Sequence, residues 1–277
     1  NICTAQVLLS VMAGMYAVYH GPEGLKKIAL RIHGLAKSLE AGLAALGLKQ
    51  VNGHYFDTLK IHGADQKAIE AEATRQGINF RYFEDGHIGI SIDETTSPKD
   101  IGQVVSVFAT VLNKQASVKI EGQPISWPAS LIRKTPYLTH PIFHTRGSEH
   151  QMLRYIKKLE NKDLSMVHSM ISLGSCTMKL NATTEMVPVT WPALGNIHPF
   201  APSGQVQGYL EMIKNLEDWL MEITGFTGVS LQPNSGAQGE YAGLLTIRAY
   251  HASRGEADRD VCLIPTSAHG TNPASAQ

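Results

Sequence analysis

Apolar residues recur at every third or fourth position through residues 1–46. This spacing predicts two helices, one over 1–19 and a second that begins after Gly21-Pro22 and ends at Gly47. The first helix follows no basic segment and is too short to span a bilayer, so we expect a buried helix rather than a signal peptide. Its apolar positions are Val7, Leu8, Val11, Met12, Met15 and Val18.

The apolar period then changes to two, which predicts strands. Asp65 is placed to cap a short helix that ends near Gly77, and Ser97 with Asp100 forms a capping-box pattern for a helix through Leu112. The order of strand, helix, two strands and helix predicts a compact α+β unit in which helices cover one sheet. The predicted strands are 55–61, 78–82 and 88–92.

Residues 113–149 have no regular period, because four prolines interrupt them. Trp127, Tyr137 and Phe143 lie in this stretch, so we expect a connector that packs against the protein rather than a loose linker.

Helical spacing returns at 150–163 and 208–224 and again between Ser235 and Ser253. Short apolar runs at 228–232 and 261–265 predict a strand on each side of the last helix. Strand, helix and strand in this order favour a parallel sheet, of which this sequence contains only the beginning.

The composition is that of an ordinary globular protein, with 43% hydrophobic and 17% charged residues. Lys+Arg and Asp+Glu both number 24, so no net charge favours binding to nucleic acid or to a membrane. The three cysteines, Cys3, Cys176 and Cys262, lie far apart, which favours a reducing compartment over a disulfide framework. The 12 histidines lack metal-ligand spacing, and we propose no metal.

The first candidate for chemistry is Ser235-Gly236-Ala237, between the strand at 228–232 and the next helix. A hydroxyl group and consecutive backbone amides at the start of a helix can bind a phosphate dianion. The alternative is structural: Asn234 or Ser235 caps the helix, and Gly236 permits a tight turn. The segment is not a nucleotide P-loop, because no Gly-Lys-Ser/Thr follows.

The second candidate is His269, which follows the strand at 261–265. Open α/β sheets bind ligands at this edge, where an imidazole can stack on a flat heterocycle. A hydrogen-bonded loop residue is the alternative. Because consecutive parallel strands present their loops at one edge, we expect His269 to lie near the turn at Ser235.

Three further residues are candidates for lining a cleft. Lys179, three residues after Cys176, is either a reactive amine or a solvated, ion-paired lysine beside a partly buried thiol. His198, followed by Pro199 and Phe200, either lines a cleft or only fixes a turn.

Long runs at 159–186, 189–202, 230–245 and 263–276 include G-S-C-T-M-K-L-N, G-N-I-H-P-F-A-P, Q-P-N-S-G-A-Q-G-E and A-H-G-T-N-P. These runs closely resemble the P-protein family of the glycine cleavage system, and the opening N-I-C-T-A-Q is similar to the same family. The resemblance implies a pyridoxal-phosphate enzyme built from two homologous fold-type-I halves, in an α/β fold.

In that family, residues 1–115 would be the interdomain helix and small α+β domain of the first half. Residues 116–150 would be the connector, and 151–277 the arm and incomplete parallel-sheet large domain of the second half. The resemblance assigns the cofactor's phosphate to Ser235, Gly236 and Ala237 and its ring to His269, with Thr271 and Asn272 near the cofactor.

The resemblance also implies a reaction: decarboxylation of glycine and transfer of the remaining aminomethyl group to the lipoyl arm of an H-protein. It implies a homo- or hetero-oligomer in the mitochondrial matrix of a eukaryote or the cytoplasm of a bacterium, with no nucleic-acid or membrane partner.

The family's Schiff-base lysine lies in a later His-Lys loop followed by a glycine-rich run, which this sequence does not contain. We therefore assign that role to no lysine here and expect an internal fragment that is inactive alone. Two alternatives remain open: another fold-type-I enzyme, such as a cysteine desulfurase or aminotransferase, and a non-catalytic assembly piece.

Overall fold

The structure is a computed structural model that describes residues 6–120, 127–162, 168 and 182–277. The chain forms two compact units, Ala17–Asp163 and Asn1–Tyr16 with Leu164–Gln277. The helices and strands of the described residues are α1 (Gln6–Ala45), β1 (Lys49–Gln50), β2 (Thr58–His62), α2 (Gln66–Arg75), β3 (Arg81–Tyr82), β4 (Ile88–Ser91), α3 (Pro98–Val111), α4 (Glu149–Glu160), α5 (Thr183–Met186), α6 (Pro192–Gly195), α7 (Gln207–Thr224), α8 (Gly236–Ser253) and α9 (Thr271–Ala276). Short 3-10 helices lie at Pro141–His144, Val187–Thr190 and Ser203–Gln205.

Helix α1 consists of two helical segments joined by a kink at Gly21. Gly21 has φ 61° and ψ −179°, a combination that is essentially restricted to glycine. Pro22 follows it and has no N–H to continue the helical hydrogen bonding. A Cβ atom on Gly21 would lie 2.5 Å from the backbone oxygen of Phe143, so the connector packs directly against the kink. The predicted interruption at Gly21-Pro22 is confirmed.

The four strands of the unit Ala17–Asp163 form one antiparallel sheet in the order β1-β2-β4-β3. In the central pair, Leu59 lies opposite Ile90 and Ile61 lies opposite Ile88. All four side chains are buried, because residues two apart in a strand share one face. The predicted order of strand, helix, two strands and helix is confirmed. Strand β1 is not predicted from the sequence, because two residues are too few to show an alternating apolar pattern.

Helices α1, α2 and α3 supply the rest of this core. Asp65 caps α2 by accepting the backbone N–H groups of Lys67 and Ala68, and Ser97 with Asp100 forms the capping box of α3. Both caps agree with the sequence prediction. The largest fully buried apolar residues are Leu39, Leu43, Leu59, Ile61, Ile69, Ile88, Ile101, Val105, Val107 and Phe108.

The described part of the connector is packed, as predicted. The indole N–H of Trp127 donates a 3.1 Å hydrogen bond to the backbone oxygen of Tyr55, and the Trp127 ring centroid lies 4.3 Å from that of His33. The hydroxyl group of Tyr137 donates a 2.6 Å hydrogen bond to the backbone oxygen of Pro22. The connector is therefore fixed at two places, beside Tyr55 before strand β2 and at the kink of α1.

Two expectations from the sequence are wrong for the described residues. Leu8 and Met12 of the first helical segment are 65% and 59% exposed rather than buried. Residues 228–232 and 261–265 form no strands, so the parallel sheet predicted from them is not present in the described part. The physical reason is shared: an apolar pattern indicates that a face needs a partner, and no described residue supplies one.

Within the described ranges, no helix combines the length and the apolar character that crossing a bilayer requires.

Candidate functional site

The turn at Ser235 opens the 18-residue helix α8. Ser235 is the N-cap residue, and its hydroxyl oxygen accepts a 3.3 Å hydrogen bond from the backbone N–H of Gln238. In return, the side-chain oxygen of Gln238 accepts a 2.8 Å hydrogen bond from the backbone N–H of Asn234. This reciprocal pair resembles a capping box and fixes the path of the chain into the helix. Ser235 does cap α8, as the structural interpretation predicts.

Capping leaves two backbone donors free at the start of α8. The N–H groups of Gly236 and Ala237 have no hydrogen-bond partner among the residues that the structure describes. Gly236 is exposed, and Ser235 and Ala237 are partly exposed. First-turn N–H groups lie at the positive end of the helix dipole, so this pair is suited to bind an anion.

The turn itself does not require the glycine at position 236. Gly236 does not have a positive φ, and a Cβ atom there would meet nothing within 4 Å. Any residue would therefore fit this backbone, and the interpretation that Gly236 only permits a tight turn is not supported. A side chain at this position would instead fill the open space beside the free amides, where glycine allows a ligand to approach the backbone closely.

The loop that contains His269 lies against the first turns of α8. The Nδ1 atom of His269, which is exposed, lies 3.3 Å from the Thr271 hydroxyl oxygen. Asn272 donates a 2.6 Å hydrogen bond from Nδ2 to a carboxylate oxygen of Glu240, a residue 32 positions earlier in the chain. The structure thus brings the start of α9, directly after His269, and the first turns of α8 together. Packed helices make this link, whereas the sequence predicted adjacent strands.

The candidate cleft residues have different outcomes. The Nδ1 atom of His198 accepts a 3.0 Å hydrogen bond from the backbone N–H of Phe200, and its backbone oxygen accepts one from Ala201 at 2.9 Å. This arrangement favours the interpretation that His198 fixes a turn. Cys176 and Lys179 lie outside the described residues. In the described part of the chain, no group of three or more His, Cys, Asp or Glu side chains is arranged to hold a metal ion.

Comparison with known proteins supports the resemblance across the whole chain. Residues 1–108 match the family described as "Glycine cleavage system P-protein". The mitochondrial glycine dehydrogenase (decarboxylating) of Flaveria anomala is 59% identical over 280 residues that include all of this chain. The glycine dehydrogenases (decarboxylating) of Deinococcus radiodurans and Shewanella pealeana are 58% and 56% identical, again over the whole chain.

The chain matches the glycine cleavage system P-protein family over residues 1–108 and is similar to glycine dehydrogenases (decarboxylating) over its whole length. It spans 27% of the length of the Flaveria relative and 29% of each bacterial relative.

Two contacts of the candidate site extend the sequence prediction. The Gln238–Asn234 contact has a local signal, because serine followed three residues later by glutamine is a capping-box pattern. The Asn272–Glu240 hydrogen bond has no such signal, because its partners lie far apart in the sequence.

Proposed function

We propose that this chain is part of a pyridoxal-phosphate-dependent glycine decarboxylase and that Ser235, Gly236 and Ala237 bind the phosphate group of the cofactor. One observation carries the proposal: the two unpaired amides of Gly236 and Ala237 at the start of α8. They occur in a chain that is 56–59% identical to proteins named glycine dehydrogenase (decarboxylating).

The donor groups at this turn fit a phosphate. Gly236 and Ala237 contribute two free N–H groups at the positive end of an 18-residue helix. The hydroxyl group of Ser235 accepts a hydrogen bond from Gln238 and keeps its own proton to donate. Three donors can therefore converge on one dianion, and each would form a charge-assisted hydrogen bond.

The loop at His269 fits the flat end of the same cofactor. The exposed imidazole of His269 is oriented by Thr271, and the Asn272–Glu240 hydrogen bond holds the loop against α8. We assign ring stacking to His269 and positioning of the loop to Thr271 and Asn272. Cys176 and Lys179 remain proposed cleft residues.

When bound, pyridoxal phosphate supplies a ring that accepts the electron pair released as CO₂ leaves glycine. In that chemistry, Ser235, Gly236 and Ala237 would hold the phosphate group, and His269 would stack on the ring. We further propose that the aminomethyl group passes to the lipoyl arm of an H-protein, whose disulfide bond breaks and is reduced as the new C–S bond forms. The Schiff-base role is assigned to none of the lysines in this chain, so we expect activity only from the longer polypeptide.

We also propose the fold-type-I architecture for the parent protein, with a small domain at 1–115, a connector at 116–150 and part of the second large domain at 151–277. Two exposed residues support it: Val261 and Leu263 are 82% and 91% exposed. Apolar side chains of this kind lie in the interior of a parallel sheet. The longer relatives have the length to supply its other strands.

The test uses the full-length parent protein and measures glycine-dependent exchange of CO₂ in the presence of H-protein. Gly236→Val should weaken pyridoxal phosphate binding roughly tenfold or more, because it blocks charge-assisted hydrogen bonds. Excess cofactor should then restore much of the activity. Gly243→Val is the matched control, since Gly243 lies in the same helix and a Cβ there also meets nothing within 4 Å.

The two parts of the proposal can fail separately. A parent protein without glycine-dependent exchange would contradict the assigned reaction. Equal cofactor affinity in the Gly236→Val and Gly243→Val variants would contradict the phosphate site even if the reaction is present.

A further inference from the structure

A groove with a volume of about 970 Å³ lies within the unit Ala17–Asp163, between the second segment of α1 and the connector. We call it the connector groove. One wall is the stretch of α1 from Glu23 to Leu30, the other is residues 131–137 of the connector, and Trp127 also lines it. The hydrogen bonds of Trp127 and Tyr137 described above fix the connector just before this wall and at its last residue.

Large apolar side chains of the connector groove are accessible. Leu30 on the helix wall is 40% exposed, and Leu131 and Ile132 on the connector wall are 58% and 47% exposed. An apolar surface of this kind that is bordered by polar groups marks an interaction site.

The connector groove also carries an excess of positive charge. Lys26, Arg133 and Lys134 line it together with a single carboxylate, that of Glu23. None of these four side chains forms an ion pair with another residue in the described ranges. The chain as a whole has equal numbers of acidic and basic residues, so the excess of positive charge is specific to the groove. An acidic partner would complement it.

We propose that the connector groove binds an acidic amphipathic helix of a partner protein. Apolar side chains at helical spacing would contact Leu30, Leu131 and Ile132, and carboxylates at the rim would pair with Lys26 and Lys134. The walls are a helix and an irregular connector, without a free strand edge, so a helix in a groove fits better than an added strand. The helix wall is long enough for about two turns of a partner helix. This inference is independent of the proposed function.

The test measures binding of two fluorescein-labelled peptides to the 277-residue chain by fluorescence anisotropy. Both peptides have roughly 15 residues, with leucines at i, i+3, i+4 and i+7. One has glutamate at the remaining positions and the other has lysine. The acidic peptide should bind, its affinity should fall with added salt, and the basic peptide should bind at least about tenfold more weakly.

The double variant Lys26→Glu and Lys134→Glu should weaken binding of the acidic peptide about tenfold, because two rim contacts change from attraction to repulsion. Lys67→Glu is the matched control, since Lys67 is an exposed lysine of α2 outside the groove, and it should bind like the parent. Leu131→Ala, which keeps every charge, should also weaken binding. Hydrogen exchange of the α3 amides shows that each variant is folded.

Three results would overturn the proposal: equal binding of both peptides, unchanged binding by the folded double variant, or self-association of the chain that the same double variant abolishes. The last result would assign the groove to a second copy of this chain.

Discussion

Replacement of Gly21 by alanine tests whether the kink of α1 holds the connector in place. Gly21 has a backbone conformation, φ 61° and ψ −179°, that a residue with a Cβ atom adopts only at a cost. The same Cβ atom would lie 2.5 Å from the backbone oxygen of Phe143. Gly21→Ala must therefore strain the kink, displace the connector or do both.

The expected loss follows from these two effects. A residue in this region of backbone conformation costs about 1–3 kcal/mol. The close contact adds to that cost, because the obstacle is a backbone atom and cannot rotate away. We expect Gly21→Ala to lower the free energy of unfolding of the unit Ala17–Asp163 by about 2–4 kcal/mol.

Gly34→Ala is the matched control in the same helix. A Cβ atom at Gly34 would meet nothing within 4 Å, and alanine in a helix interior is favoured over glycine by up to about 1 kcal/mol. The assay is hydrogen exchange of core amides such as those of Val105 and Phe108, which reports the free energy of opening. If the Gly21→Ala and Gly34→Ala variants exchange at the same rate, the described packing of kink and connector is wrong.

Three further predictions concern single groups. Ser97→Ala removes the capping hydrogen bond that the Ser97 hydroxyl accepts from the backbone N–H of Asp100 and should lower the free energy of unfolding of the unit Ala17–Asp163 by about 1 kcal/mol, measured by thermal unfolding with circular dichroism. The side-chain hydrogen bonds from Arg75 and Gln76 lower the pKa of Glu72 to about 2, so their stabilisation is present above the ordinary pKa and is lost as the pH falls towards 2. Arg75→Gln should raise the pKa of Glu72 towards its ordinary value in an NMR titration, and an unchanged pKa would contradict this ion pair. Borohydride reduction of the isolated chain with equimolar pyridoxal phosphate should fix no single lysine, and one stoichiometric lysine adduct would refute the assignment of that role elsewhere.

The helices and turns of the unit Ala17–Asp163 are largely predictable from sequence, because the residues that start, end or kink each helix are close together in the chain. Asp65 and Ser97 mark helix starts that the structure confirms, and Gly21-Pro22 marks the kink. Each depends on the conformational preference of a few adjacent residues.

Burial and strand pairing at the two ends of the chain are not predictable in the same way. Leu8 and Met12 have the helical spacing of buried residues but are exposed, and 228–232 and 261–265 have strand patterns without strands. A pattern shows which face is apolar, whereas burial depends on a partner surface that the residues themselves do not specify.

In the candidate site too, features that depend on neighbouring residues are predictable and contacts between distant residues are not. The capping of α8 by Ser235 is evident from the sequence, and so is the candidate role of His269. The Asn272–Glu240 hydrogen bond, which holds the His269 loop against α8, depends on tertiary packing between residues distant in the chain. The structure does not support the explanation that Gly236 is there to permit a tight turn, because its backbone conformation does not require glycine.

The most direct test of the central claim is an NMR titration of the ¹⁵N-labelled chain with pyridoxine 5′-phosphate and, separately, with pyridoxine. Neither compound has the aldehyde that reacts with lysines, so the comparison isolates the phosphate. The amide resonances of Gly236 and Ala237 should shift with the phosphorylated compound and stay unchanged with pyridoxine, because pyridoxine has no phosphate to accept the two free N–H groups. Equal shifts with both compounds, or no shift at these two amides, would contradict the proposed phosphate site.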